Sequence, residues 1–205
     1  MTLLNKDEQK QVAAAIAAVE RETDAELVTV LARRADDYSY IPRLWAAVLA
    51  LVLPDVVNYF GNWLSAHNLL LVQWACFIVL SLLFRSPPLL TRMIPRNVRQ
   101  WRASGLARRQ FLEQNLHHTV GETGMLIFVS EAEHYVEILV DRGISSRIPD
   151  ATWQEIIDAF TDHVKAGRTL QGFLECIEAC GRHLKQHVPA THGRNELSDH
   201  LVILD

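Results

Sequence analysis

The stretch "LWAAVLALVLPDVVNYFGNWLSAHNLLLVQWACFIVLSLLF" (residues 44–84) carries one charged side chain, Asp55. A window that apolar is not a loop. It divides into two runs, 44–60 and 69–84, joined by "GNWLSAHN" (61–68). A helix of such a run reaches about 25 Å, a little less than a hydrocarbon core of about 30 Å. Trp45, Tyr59 and Trp63 stand where interfacial aromatic rings would anchor the pair. The short link allows only an antiparallel hairpin. Two buried core helices of this kind would need a larger soluble domain than the rest of a 205-residue chain supplies. The window is therefore read as a transmembrane helical hairpin within residues 41–84.

The flanks set its expected orientation. Arg33, Arg34 and Arg43 precede it. Arg85, Arg92, Arg96, Arg99, Arg102, Arg108 and Arg109 follow, with no acid among residues 85–112. The link holds no Lys or Arg. The positive-inside rule then places both termini in the cytoplasm and the link outside, in a plasma (inner) membrane. A basic juxtamembrane segment (85–98) beside a span favours anionic headgroups by about 1 kcal/mol per residue. No nucleic-acid partner is expected, because the basic stretch directly abuts an apolar span. Asp55, just after Pro54, is an ionisable residue inside a span and so a functional candidate. The plainer reading is that Pro54 opens the helix and Asp55 sits near the far interface. Two helices cannot enclose a pathway, so transport would need a homo-oligomer.

Upstream, "AELVTVLARR" (25–34) reads as a strand, which needs neighbours for its backbone groups. A helix capped by Asn5 or Asp7 precedes it. The next strands are "GMLIFVS" (124–130) and "YVEILV" (135–140), joined closely enough to be an antiparallel hairpin. Between span and strands, "NVRQWRASGLARRQFLEQNLHHT" reads as a helix. Its expected apolar side is Trp101, Leu106, Phe111, Leu112 and Leu116. Two helices follow, one capped by Asp150 and holding Trp153 and Phe160, the other holding Phe173 and Ile177. Residues 190–205 read as a tail with a short strand possible at "HLVIL". The economical arrangement is one α/β domain, made of residues 1–36 and 99–189, with the hairpin inserted into its first crossover. A long crossover permits parallel pairing, so a small mixed sheet is expected.

Hydrophobic residues total 49%, ordinary for a globular protein, so the membrane signal lies in distribution rather than average. Of three cysteines, Cys176 and Cys180 are four apart on a helix and are expected as buried, reduced thiols in a cytosolic setting. The opening "MTLLNKDEQK" lacks a cationic stretch followed by an apolar run, so no cleavable signal is expected there.

At "TGMLIFVSEAEHYVEILVDRGISSRIPDATWQEIIDAF" (123–160) the chain resembles the TPM-domain family, which includes the thylakoid acid-phosphatase-like proteins. The matching elements are Thr123-Gly124, the "LIFVS" strand, Glu133-His134, the Asp141–Ile144 turn and Trp153. "GRTLQG" (167–172), "HLKQHVP" (183–189) and Thr23–Glu26 also look like the family. The resemblance implies an αβα sandwich, membrane attachment and, in some members, acid-phosphatase activity or divalent-cation binding. An internal hairpin resembles a bacterial membrane subgroup rather than members with one C-terminal span.

The turn after the strand hairpin is the best place for chemistry. Asp141 ends a strand and Glu26 opens one, and paired oxygen ligands suit Ca²⁺ or Mg²⁺. Gly143 permits a tight backbone there, and Arg142 or Arg147 is an alternative partner for Asp141. Glu133 and His134, read as opening a strand on opposite faces, offer a carboxylate and an imidazole for proton transfer. Thr123 and Gly124 offer a hydroxyl and a close backbone. No phosphate-binding Gly-rich loop with Lys, nucleophilic Cys loop or dense Asp cluster is present. Three functions are compatible with this pattern. The first is a membrane-anchored cytoplasmic domain that binds a membrane-protein partner or maintains a complex. The second is a weak metal-dependent acid phosphatase. The third is a transport or relay component using Asp55.

Overall fold

The computed structural model describes residues 4–61, 64–84, 94–191 and 201–204. Trp63, Arg85, Arg92 and parts of the 85–98 and 190–205 segments lie outside the described residues. In chain order the elements are α1 (Lys6–Glu20), β1 (Glu26–Ala32), α2 (Tyr40–Gly61), α3 (Ala66–Leu83) and α4 (Arg96–Glu113). A 3₁₀ turn (Leu116–His118) leads to β2 (Gly124–Ser130) and β3 (Tyr135–Val140). Then come the short α5 (Arg142–Ser145), α6 (Asp150–Lys165), α7 (Thr169–His187) and β4 (Leu201–Leu204). The chain forms two units, one of residues 1–35 and 100–205, the other of residues 36–99.

In the first unit, Asn5 caps α1 through a reciprocal box with Glu8. The sheet order is β3-β2-β1-β4. β1 runs parallel to β2, with Glu26 opposite Gly124 and Ala32 opposite Ser130. It also runs parallel to β4, which begins with Thr29 opposite Leu201. β2 and β3 are antiparallel. The sheet is therefore mixed, and the strand near residue 30 lies at its centre. The expected tail contributes an edge strand, because "LVIL" offers β1 its second neighbour.

Every residue of β1 and β2 is buried. Continuous burial requires cover on both faces, as in parallel sheets. Leu27, Leu31, Met125 and Ile127 face a core with Val12, Ile16, Phe160 and Phe173, contributed by α1, α6 and α7. Val28, Val30, Leu126 and Phe128 face a core with Ala103 and Ala107 of α4 and with Leu116. The αβα sandwich follows from these two faces.

α4 differs from its sequence expectation. Ala103, Ala107 and Gln110 are its buried stripe, while Trp101 is 68% and Leu112 57% exposed. Small side chains let the helix lie close on the sheet, with Leu106 and Phe111 packed at the margin of that contact and Leu116 buried beyond it. Thr29 is a second local anomaly: its side chain is fully buried and its Oγ1 has no partner among the described residues. A buried unsatisfied hydroxyl costs about 1–3 kcal/mol. Thr29→Val keeps the shape and is expected to raise Tm by a few degrees in a detergent-solubilised thermal melt.

In the second unit, α2 and α3 pack on each other. Ala46, Ala50 and Pro54, spaced four apart, are buried on α2. The helix continues through Pro54 to Gly61 rather than opening there. Ser65 caps α3. The helices have mean hydropathies of 1.6 and 1.8, and α3 buries no residue. Both are long and apolar enough to cross a membrane. Tyr38, Ile41 and Ile94 form a separate small cluster with Val98.

Candidate functional site

The sheet presents two polar ends. At the first, β1 and β2 begin and β3 finishes. Thr123 N–H donates to Thr119 Oγ1 and Thr123 Oγ1 donates to the Asp24 carbonyl, each at 2.8 Å. Glu26, 4% exposed, donates its N–H to the Thr123 carbonyl at 3.1 Å. Asp141 donates its N–H to the Gly124 carbonyl at 2.9 Å. Its carboxylate accepts from Arg142 N–H at 2.7 Å and caps α5. Arg142 is exposed, and Arg147 Nη1 donates to the His187 carbonyl at 3.1 Å.

Glu26 and Asp141 thus share one end of the sheet, but not neighbouring strands. β2 runs between them, and two strand spacings are about 10 Å. The sequence could place both residues at strand ends but not order the strands. The glycines serve close packing. A Cβ at Gly124 would lie 2.1 Å from the Leu116 carbonyl oxygen, and one at Gly143 would lie 2.3 Å from that of Gly121. Among the described residues, no three His, Cys, Asp or Glu converge as metal ligands.

The second end lies where β1 and β2 finish, the side on which open α/β sheets hold ligands. Glu133 and His134 belong to the turn before β3 rather than to the strand itself, and His134 takes a positive φ of 50°. They do not alternate across the sheet as expected. Glu133 is buried and its carboxylate accepts from Ala35 N–H at 3.1 Å and from Ser130 Oγ. His134 is exposed. Glu131, also buried, accepts from Thr169 Oγ1 at 3.5 Å. Sequence reading missed Ser130, Glu131 and Thr169. The available signal was two acids immediately after a strand buried along its whole length. Buried carboxylates can accept hydrogen bonds or offer oxygens to a cation.

On the α4 side, Ser104 Oγ donates to Glu137 at 3.2 Å. Burial raises the Glu137 carboxyl above the ordinary range, against the lowering effect of Ser104, Tyr135 and Arg108. Burial and the neighbouring Glu137 push the Tyr135 phenol up to about 12. A raised carboxyl favours the fold while protonated. Stability from Glu137 is full below its unfolded pKa and is lost as pH rises through the folded value. Glu137→Gln is expected to raise Tm at pH 7 and flatten its fall as pH rises above the ordinary carboxylate range, read in parallel melts. In α7, Cys176 and Cys180 are free and buried. The Cys176 thiol is pushed up by its hydrogen bond with Cys180 and by burial, which suits an inert thiol.

In the helical hairpin, Gln73 Nε2 donates to Asp55 Oδ2 at 3.2 Å and lies 3.4 Å from the Leu51 carbonyl. The charged residue of the apolar window therefore has a polar partner on the opposite helix.

A family model described as the TPM domain matches residues 98–183. The chain carries a TPM domain. The match includes β2, β3 and α6, while β1, which pairs with β2, lies before the matched residues. The fold is similar to the NMR structure of BA42 protein from the psychrophilic bacterium Bizionia argentinensis. The TM-score is 0.62 at 17% identity, over 98% of this chain and 96% of that one. At that identity the likeness concerns the fold. No curated protein matches the chain.

Proposed function

We propose that this protein is a two-span membrane protein whose TPM domain faces the cytoplasm and binds a membrane-protein partner or maintains a membrane complex. One observation carries the reading. The segments on either side of the hairpin belong to one folded unit, residues 1–35 with 100–205. A folded unit lies on one side of a bilayer, so both hairpin ends return to the same side. Exposed Leu44, Val48, Leu51, Leu70, Ile78 and Leu82 supply lipid-facing surface. Arginines on both flanks and none in the link favour the cytoplasmic side.

Single cysteines placed in the link and at each terminus, in a background with the natural cysteines replaced, test the topology with a membrane-impermeant thiol reagent. Labelling of the link alone in intact cells is expected. Labelling of one terminus without the other overturns the reading.

Metal-dependent phosphomonoester hydrolysis is a second reading, favoured by the placement of Glu26 and Asp141 at one sheet end. Ca²⁺ or Mg²⁺ would meet one of these carboxylates at a time there, since β2 separates them by about 10 Å. Hydrolysis of p-nitrophenyl phosphate by the full chain, stimulated by either cation and lost in Asp141→Ala, supports it. Activity unchanged in that variant removes the site.

A further inference from the structure

β3 is an edge strand. Among the described residues it pairs with β2 alone. Its pairing pattern shows which backbone groups are left over. Asp141 N–H donates to the Gly124 carbonyl, and hydrogen-bonded pairs alternate along an antiparallel ladder. Leu139, Glu137 and Tyr135 therefore turn their N–H and C=O groups toward β2. Those of Val136, Ile138 and Val140 point to the open edge. Natural edges are often blunted by Pro, Lys or a bulge. β3 contains none of the first two, and its register is unbroken.

A groove of about 580 Å³ follows β3 along its whole length. Its wall is one face of α6, including Trp153, Ile157 and Thr161, and Gln100 of α4 also lines it. Its lining carboxylates outnumber its basic groups, with His134 at one end and Arg108 near Glu137. Glu137, Asp150 and Asp158 line it, and no lining residue is Lys or Arg. The indole N–H of Trp153 is buried and has no acceptor among the described residues. A buried unsatisfied donor is costly.

We propose that the β3 edge is a docking site for an extended basic peptide of a partner protein, which joins the sheet beside β3 as an added strand. Backbone hydrogen bonds supply affinity in this mode, and alternate side chains supply specificity. Six residues of β3 span about 20 Å, enough for a partner strand of similar length. The acids select Lys or Arg on the incoming strand. They also disfavour a second copy at this edge, since β3 against β3 would bring like-charged grooves together. The inference deepens the protein-binding reading above and rests on it.

The test uses the full chain in a neutral detergent and a fluorescein-labelled heptapeptide alternating lysine and valine. Fluorescence anisotropy is expected to report binding, weakened at least tenfold in Asp150→Lys/Asp158→Lys. Both positions are exposed, so this variant is expected to fold. Hydrogen exchange is expected to slow at the amides of Val136, Ile138 and Val140. A peptide N-methylated at alternate residues, which tests the backbone bonds without altering the protein, is expected not to bind. Equal binding of a glutamate–valine peptide, equal binding of the methylated peptide, or unprotected β3 amides overturns the proposal. So does a dimer that protects those amides without peptide. Cysteine labelling is a separate readout, so failure of the topology and failure of the docking site are distinguished.

Discussion

Ala75→Arg, at the middle of α3, is expected to send the C-terminal half of the chain to the outer side and destroy the domain. Ala75 is exposed, so the substitution removes no packing within the protein. Its effect is on the transfer of α3 into lipid. An Arg at the centre of a span costs about 3 kcal/mol, about a hundredfold in an insertion equilibrium. α3 has 18 residues and reaches about 27 Å, so it has no spare length to slide the charge to an interface. If α3 fails to insert, everything after it stays on the far side while β1 remains with the N-terminus. β2 then cannot pair with β1, and the sheet loses its central contact. Impermeant labelling of a C-terminal cysteine is expected to appear in intact cells. The protease-resistant TPM unit is expected to disappear. Ala75→Leu is expected to change neither. A C-terminus that stays protected in Ala75→Arg contradicts the two-span topology.

Phe173→Ala is expected to cost about 4 kcal/mol, the range for removing a fully buried Phe. Phe173 is fully buried in the core shared by α1, α6, α7 and the sheet. Its ring meets Phe160 edge to face, with centroids 4.9 Å apart. Such a pair adds about 0.5–1.5 kcal/mol beyond area burial. The site has little room to close over the lost ring. The Phe160 ring already lies against the backbone of Gly172, where a Cβ would come within 2.4 Å of it. For a domain of this size a loss of about 4 kcal/mol lowers Tm by about 10 °C. Thermal melts of the solubilised chain check it, with Phe173→Leu expected to lose less than half as much. A fall of under about 2 °C would contradict this packing. Because α6 walls the groove beside β3, Phe173→Ala is also expected to weaken peptide docking there.

The hairpin and the strands were legible because their signals are local. Asp55 alone interrupts a long apolar window. β2 reads as an apolar run and the Asn5 cap as a residue type at a helix start. β4 was legible only as a possibility, since four residues in a polar tail acquire strand geometry from β1 beside them. The apolar face of α4 was read in part: Leu106, Phe111 and Leu116 pack on the core, while Trp101 and Leu112 are exposed. Hydrophobicity points to Trp101 and Leu112, but a helix lying on a sheet needs small residues where the backbones approach. Glu131 was missed because a carboxylate after a strand reads as exposed, and only the turn around it and Thr169 bury it.

By itself the sequence determined that two apolar helices interrupt an α/β domain, because spans and strands are set by composition and period over adjacent residues. Only the tertiary structure decided that β2 separates Glu26 from Asp141, that β1 takes the centre and that β3 keeps an open edge. Those outcomes depend on strand order, and the ordered strands come from segments about ninety residues apart in the chain. No local pattern encodes which of them becomes the neighbour.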